Sequence, residues 1–258
     1  MPPMPRSIMG SSPGPSGLVP DGRTPLVVAA VRRRVVIAIG VAAAITAVLG
    51  WRYAGDSGAG RADTRITEVL DDQPGIAHSL ARGFAALGGP LPVVVALLLL
   101  APLAWYLRRG RGLGLVLAGP TTAMVVTSLV LKPLVERTRG GELAFPSGHT
   151  TSVASIAVTC AVLVLGLPTL PRALRLCAVA GLAALVVAVG LSLVVRGIHY
   201  PTDTLGALGV AVAVVLGVAL AVDAFADVVH DPGPDPRAFD PRERPTDVLP
   251  RVGSSPEH

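Results

Sequence analysis

Apolar residues run along the chain in long uninterrupted stretches, not in the period-two alternation of half-buried strands or the narrow stripes of soluble amphipathic helices. Six stretches, Val35 to Trp51, Pro90 to Leu107, Leu113 to Leu131, Thr150 to Leu167, Ala173 to Val195 and Thr204 to Phe225, are candidate membrane crossings. Each approaches the roughly 20 helical residues needed to span about 30 Å of hydrocarbon. Ala, Val and Leu dominate them without alternation, so the pattern predicts an all-α, six-transmembrane helical bundle over 31–226 and not a barrel. Residues 1–30 and 227–258, rich in Pro, Gly, Ser, Asp and Arg, are predicted to be disordered tails. Between the first two stretches, Ile66, Val69 and Leu70, then Ile76, Leu80 and Phe84, repeat at helical spacing among charges. That spacing predicts a short amphipathic helix lying at the membrane interface.

Composition sharpens this reading. The 258 residues are 51% hydrophobic and only 15% charged, with mean hydropathy +0.62, whereas soluble domains carry about 25% charged residues. Two cysteines, Cys160 and Cys177, exclude a disulfide framework or a Cys-rich zinc site and sit in apolar runs as small hydrophobes. A net charge of +5 with 3% aromatics does not indicate a nucleic-acid partner, because the arginines flank apolar stretches. The partner implied is the bilayer. Arg32, Arg33 and Arg34 precede the first stretch, Arg108, Arg109 and Arg111 follow the second, and Arg172 and Arg175 follow the fourth. By the bias of basic residues toward cytoplasmic loops, these connections and both termini are expected to face inward in a multi-pass protein of the cell (plasma) membrane. The first stretch is read as a retained helix and not a signal peptide, since a long Pro, Gly and Ser segment precedes it and no small-x-small cleavage site follows.

Chemistry collects in two outward-facing loops, Lys132 to His149 and Arg196 to Asp203. Lys132 is the chain's lysine, in a sequence that otherwise uses arginine for its basic positions; it is either a snorkelling end-of-helix cation or a compact ammonium kept for a ligand. Arg137 and Arg139 follow it, and Phe145-Pro146-Ser147-Gly148-His149 opens the fourth stretch. Amides at the start of a helix point at an anion, so Ser147 and Gly148 outline a phosphate cradle, or else Ser147 is a plain N-cap. In the second loop Pro201 suits a helix start, which puts Asp203 in the first turn and within reach of His199. A carboxylate accepting from one imidazole nitrogen fixes the tautomer and leaves the other nitrogen free to attack; the same pair also occurs as an ordinary surface hydrogen bond. Clustered cations repel unless an anion joins them, and a phosphate fits that need. Glu136 and Glu142 stand apart, so no carboxylate cluster for a metal is expected.

Lys132 and Arg139 at Lys-x6-Arg spacing, the complete Pro146-Ser147-Gly148-His149, and His199 with Asp203 at His-x3-Asp spacing together resemble the signature of the type 2 phosphatidic acid phosphatase superfamily. Its members are membrane lipid phosphatases with a site similar to that of vanadium haloperoxidases. The resemblance covers the layout from about residue 35 to 225. It implies that His199 attacks phosphorus to give a phosphohistidine, that Asp203 orients it, and that His149 protonates the leaving oxygen and later activates water. It implies that Lys132, Arg139, Ser147 and Gly148 hold the phosphoryl oxygens, with no metal or other cofactor.

Two positions depart from the pattern. Gly140 stands where a proline is expected, which predicts a looser loop, and Leu193 stands where an arginine is expected. Arg196, one helical turn on, is the candidate to supply that phosphate contact. The function implied is hydrolysis of a lipid phosphate or diphosphate, such as phosphatidic acid, phosphatidylglycerol phosphate or a polyprenyl diphosphate. The alternative is a weak or inactive lipid-phosphate-binding or transporter-like membrane protein, which would need the cations but not His199 and Asp203 together. A structural scaffold would leave both histidines without a task.

Overall fold

The computed structural model describes residues 24–71 and 75–230, so most of both predicted tails lies outside the described residues. Among the described residues five helices, not six, are long and apolar enough to cross a membrane. The first, α1 (Ala29–Arg52), has 24 residues, about 36 Å at the helical rise of 1.5 Å per residue. Two shorter helices follow, α2 (Arg61–Asp71) and α3 (Gly75–Ala86), in place of the one amphipathic helix expected there.

The count falls to five because the second and third stretches are continuous as α4 (Pro90–Val125), extended by a π turn over Val126–Leu131 and the short α5 (Lys132–Val135). That helix is not straight. Arg109 has φ 51° and ψ −140°, far from helical values. A Cβ on Gly112 would lie 2.5 Å from the carbonyl oxygen of Ala104, and Val93 and Leu97 line one cavity with Pro120 and Met124. A straight helix would separate Val93 from Met124 by about 46 Å. The chain therefore folds back at Arg109, and the arginine-rich stretch 108–111 is the bend.

After α5 comes a two-stranded hairpin, β1 (Thr138–Arg139) and β2 (Glu142–Leu143). Then follow α6 (Gly148–Leu165), α7 (Arg172–Val195) and α8 (Pro201–His230). Helices α6 and α8 form the centre of the bundle. On α8, Ala207, Ala211, Val215 and Ala219 are fully buried, and these small side chains let neighbouring backbones approach closely. α1 uses this: the Thr46 hydroxyl donates to the carbonyl of Gly206 at 3.1 Å. On α6, Thr151 and Ser152 donate to carbonyls four residues back, so their buried hydroxyls are satisfied within the helix.

The two ends of the bundle differ in chemistry. At one end Arg111 pairs with Asp223 at 2.9 Å and Asp227 at 2.6 Å. Asp223 also accepts the amides of Leu26 and Val27, each at 2.8 Å, and so ties the segment before α1 into the core beside Leu115, Val162 and Val215. Arg108 donates to the carbonyl of Gly166 and Arg175 to that of Leu165, closing the α6–α7 connection. At the opposite end lie the openings of α6 and α8, α5, the hairpin and α2.

Candidate active site

The hairpin is closed by Gly140 and Gly141, with φ 61° and 86° and the register Thr138 to Leu143 and Arg139 to Glu142. Two-residue turns of this kind need positive φ at both central positions. A proline, locked near −65°, cannot take the first of them. Gly140 therefore tightens the loop, contrary to the looser one expected, and it fixes the reach of Arg139. The Arg139 guanidinium stacks 4.1 Å from the centroid of the Tyr200 ring and donates to the carbonyl of His199 at 2.5 Å.

Ser147 caps α6: its hydroxyl accepts from the amide of Thr150 at 3.3 Å, and its own amide donates to the carbonyl of Asp203 at 3.2 Å. The openings of α6 and α8 are thus bonded to each other directly. A helix leaves its first four amides without intrahelical partners; capping satisfies Thr150, while Gly148 and His149 present theirs at the mouth. His149 is half-buried, and the ionisable groups acting on it are His199, Lys132 and Arg196. Lys132 is half-buried, donates to the carbonyl of Leu143 at 2.8 Å, and feels the carboxylates of Asp203 and Glu142. Residues spread over 71 positions of sequence are therefore electrostatic neighbours around one opening.

His199 is 6% exposed, and its Nδ1 lies 3.6 Å from Oδ2 of Asp203. That separation is beyond a hydrogen bond, and Nδ1 has no hydrogen-bond partner among the described residues. The fully buried Asp203 is held from both sides: Oδ2 accepts the Tyr200 amide at 2.9 Å and Oδ1 accepts from Arg137 at 2.7 Å.

Arg137, noted in the sequence as part of a basic stretch without a role, is the cation on which this arrangement turns. It is fully buried between the rings of Tyr53 and Tyr200, 4.1 and 4.4 Å from their centroids. Its second nitrogen pairs with Asp63 of α2 at 2.7 Å, and it also donates to the Thr202 hydroxyl at 2.7 Å. Asp63 in turn accepts the Thr202 amide at 3.0 Å and the Gly60 amide at 3.2 Å. Burial by itself would raise the Asp63 carboxyl, but the Thr202 amide, Arg137, the Thr202 hydroxyl and the Gly60 amide together hold it below the usual carboxylate range. Nothing local in the sequence marks Asp63. It reads as one more charge on an interfacial helix.

Leu193 and Arg196 do not share an environment. Leu193 is fully buried in an apolar cluster with Val153, Val189 and Ala211, while its carbonyl accepts the amides of Ile198 and His199. Arg196 is exposed at the end of α7, within electrostatic reach of His149. Among the described residues no group of three or more His, Cys, Asp or Glu is placed to hold a metal ion.

The model of the PAP2 superfamily matches residues 118–227. A solved structure described as the first transmembrane PAP2 type phosphatidylglycerolphosphate phosphatase from Bacillus subtilis is similar, with a TM-score of 0.59 and 20% identity over 75% of this chain and 98% of that chain. At that identity the likeness is one of fold. No curated protein matches the chain. The Lys-x6-Arg, Pro-Ser-Gly-His and His-x3-Asp segments all fall inside the matched region, and the chain therefore carries, from the second limb of α4 to the last turns of α8, the region of the PAP2 superfamily.

Proposed function

We propose that the protein is an integral membrane phosphatase that hydrolyses a lipid phosphate or diphosphate through a phosphohistidine on His199. The observation that carries this reading is the buried His199 imidazole, its Nδ1 facing Asp203 and otherwise without a partner among the described residues, beside a second histidine on the first turn of α6. With the Nδ1 proton directed at Asp203, Nε2 keeps its lone pair and attacks phosphorus. The bond from phosphorus to the leaving oxygen breaks, and His149 gives that oxygen a proton, releasing the alcohol or lipid monophosphate. His149 then takes a proton from water, whose oxygen attacks the phosphohistidine; the P–N bond breaks and inorganic phosphate leaves. Lys132, Arg139, Arg196 and the amides near Ser147 and Gly148 stabilise the phosphoryl oxygens, where most of the electrostatic gain arises.

A lipid substrate is supported by an apolar cleft between α7 and α8 that starts beside the site. It is lined by Thr150 and Thr204, the residues next to His149 and Asp203, and by Val187, Gly190, Leu205 and Leu208. A headgroup at the site would leave its tail in this cleft. The bend at Arg109 supports counting the two limbs of α4 as separate crossings, which gives six, with the arginine-rich end cytoplasmic and the site extracytoplasmic.

The test is phosphate release from a panel of lipid phosphates by the purified protein, with and without EDTA, for wild type and His199→Ala. Metal-independent release that the variant lacks, with an acid-labile phosphoryl group trapped on wild type, is expected. Equal behaviour of the two would leave a binding protein.

A further inference from the structure

We infer that Asp63 and Arg137 are positioning residues that, with Asp203, form one buried carboxylate–guanidinium–carboxylate chain setting the orientation and basicity of the His199 imidazole. This rests on the proposed role of His199 as nucleophile. Asp63 lies on α2, outside residues 118–227, so this part of the site comes from a segment beyond the matched region.

A single carboxylate would neutralise Arg137. The fold supplies two, Asp63 and Asp203, both at 2.7 Å and all three groups fully buried. Burying a second anion is costly unless its charge is used, and the formal excess of one negative charge sits one carboxylate away from His199. Asp203 divides its oxygens accordingly: Oδ1 faces Arg137 and Oδ2 faces the imidazole. Because Asp63 takes the other half of the guanidinium, Asp203 keeps more of its charge for the imidazolium that develops as His199 becomes phosphorylated. Tyr53 and Tyr200 enclose the cation on two faces and limit screening by water.

The other groups bearing on His199 come from separate elements. These are His149 on α6, Lys132 on α5 acting on Asp203, Arg139 on β1 bonded to the His199 carbonyl, and Arg196 at the end of α7 acting on His149. None contacts Asp63, so an isosteric change there isolates the chain. Asp63→Asn leaves Arg137 to Asp203 alone. That draws charge away from Oδ2 and lowers the basicity of His199.

The experiment is a titration of histidine-labelled protein in nanodiscs, followed by NMR and paired with the pH profile of kcat/KM. Asp63→Asn is expected to move the His199 midpoint down, as loss of a nearby negative charge does. The acid limb of the profile moves with it. Turnover falls about tenfold with KM little changed, because the interaction lost acts in the transition state, and Asp63→Glu recovers part of the loss. An unmoved midpoint in a folded Asp63→Asn protein overturns the inference. Should that variant not fold, the wild type decides: the guanidinium nitrogen resonances of Arg137 follow the His199 titration if the chain couples them, and their indifference overturns it. The titration needs no substrate. A protein that releases no phosphate defeats the proposed function, whereas full turnover with uncoupled resonances defeats this inference alone.

Discussion

Gly88 lies directly against the backbone of His149: a Cβ at position 88 would sit 2.7 Å from His149 Cβ and 2.8 Å from its carbonyl oxygen. The connection between α3 and α4 thus forms a wall of the site, and hydrogen alone fits there. Gly88→Ala is expected to displace the first turn of α6. Such overpacking costs about 1 to 3 kcal/mol of stability, and a shift of the proposed acid–base group of this order lowers turnover by roughly 10- to 100-fold. Thermal melts and kcat of the variant in detergent check this, and wild-type turnover would mean that the backbone yields without moving the imidazole.

Arg196 is exposed at the end of α7 within electrostatic reach of His149, whereas Leu193 is committed to the apolar core, and Arg196 is proposed to supply the phosphate contact that Leu193 cannot. If it contacts phosphate during the reaction, Arg196→Leu lowers kcat/KM by about 10² to 10³, the range for losing one charge-assisted donor. Unchanged kinetics would assign Arg196 to lipid headgroups. Restoring an arginine at 193 is not expected to rescue the variant, because that side chain would point into the cluster of Val153, Val189 and Ala211.

The cleft between α7 and α8, proposed to take a lipid tail, is tested by comparing lipid with soluble substrates. Leu208 lines both the part beside Thr150 and its continuation toward Ala161 and Val179. Leu208→Trp fills it, and kcat/KM for a long-chain lipid phosphate is expected to fall by about tenfold through KM, in proportion to the apolar burial lost. A water-soluble phosphate ester should be hydrolysed as before. Equal loss on both substrates would mean that the change disturbs the site itself.

Asp63 also gives the fold an acid limit. Its carboxyl titrates below the usual range when folded, so as pH falls the unfolded chain takes up a proton that the folded chain still refuses. The stability it contributes is complete above the ordinary aspartate value, about 3.9, and is lost as pH falls through the folded value. Wild type is therefore expected to be the more stable protein at neutral pH, with the gap to Asp63→Asn closing toward pH 3 to 4, roughly where an unfolded aspartate titrates. Melting curves from neutral to acid pH measure it; a gap that widens on acidification would reverse the sign.

Much of this protein is legible in the order of its residues. Long Ala, Val and Leu runs must satisfy their backbones within themselves in hydrocarbon, so α1, α6, α7 and α8 could be read directly, and the arginine clusters at 108–111 and 172–175 mark the opposite end of the bundle from His149 and His199. Spacing gave the local pieces of the site as well: Ser147 opening α6, and Asp203 one turn after His199. Tertiary structure decided what depends on distant partners. It set the fold-back at Arg109, the fit of Gly88 on His149, the burial of Leu193 and the bridge from Asp63 through Arg137 to Asp203. Periodicity records which face of a segment is apolar, a short-range property. Which charge meets which across 140 residues is fixed only when packing removes both from water and leaves each the other as its partner.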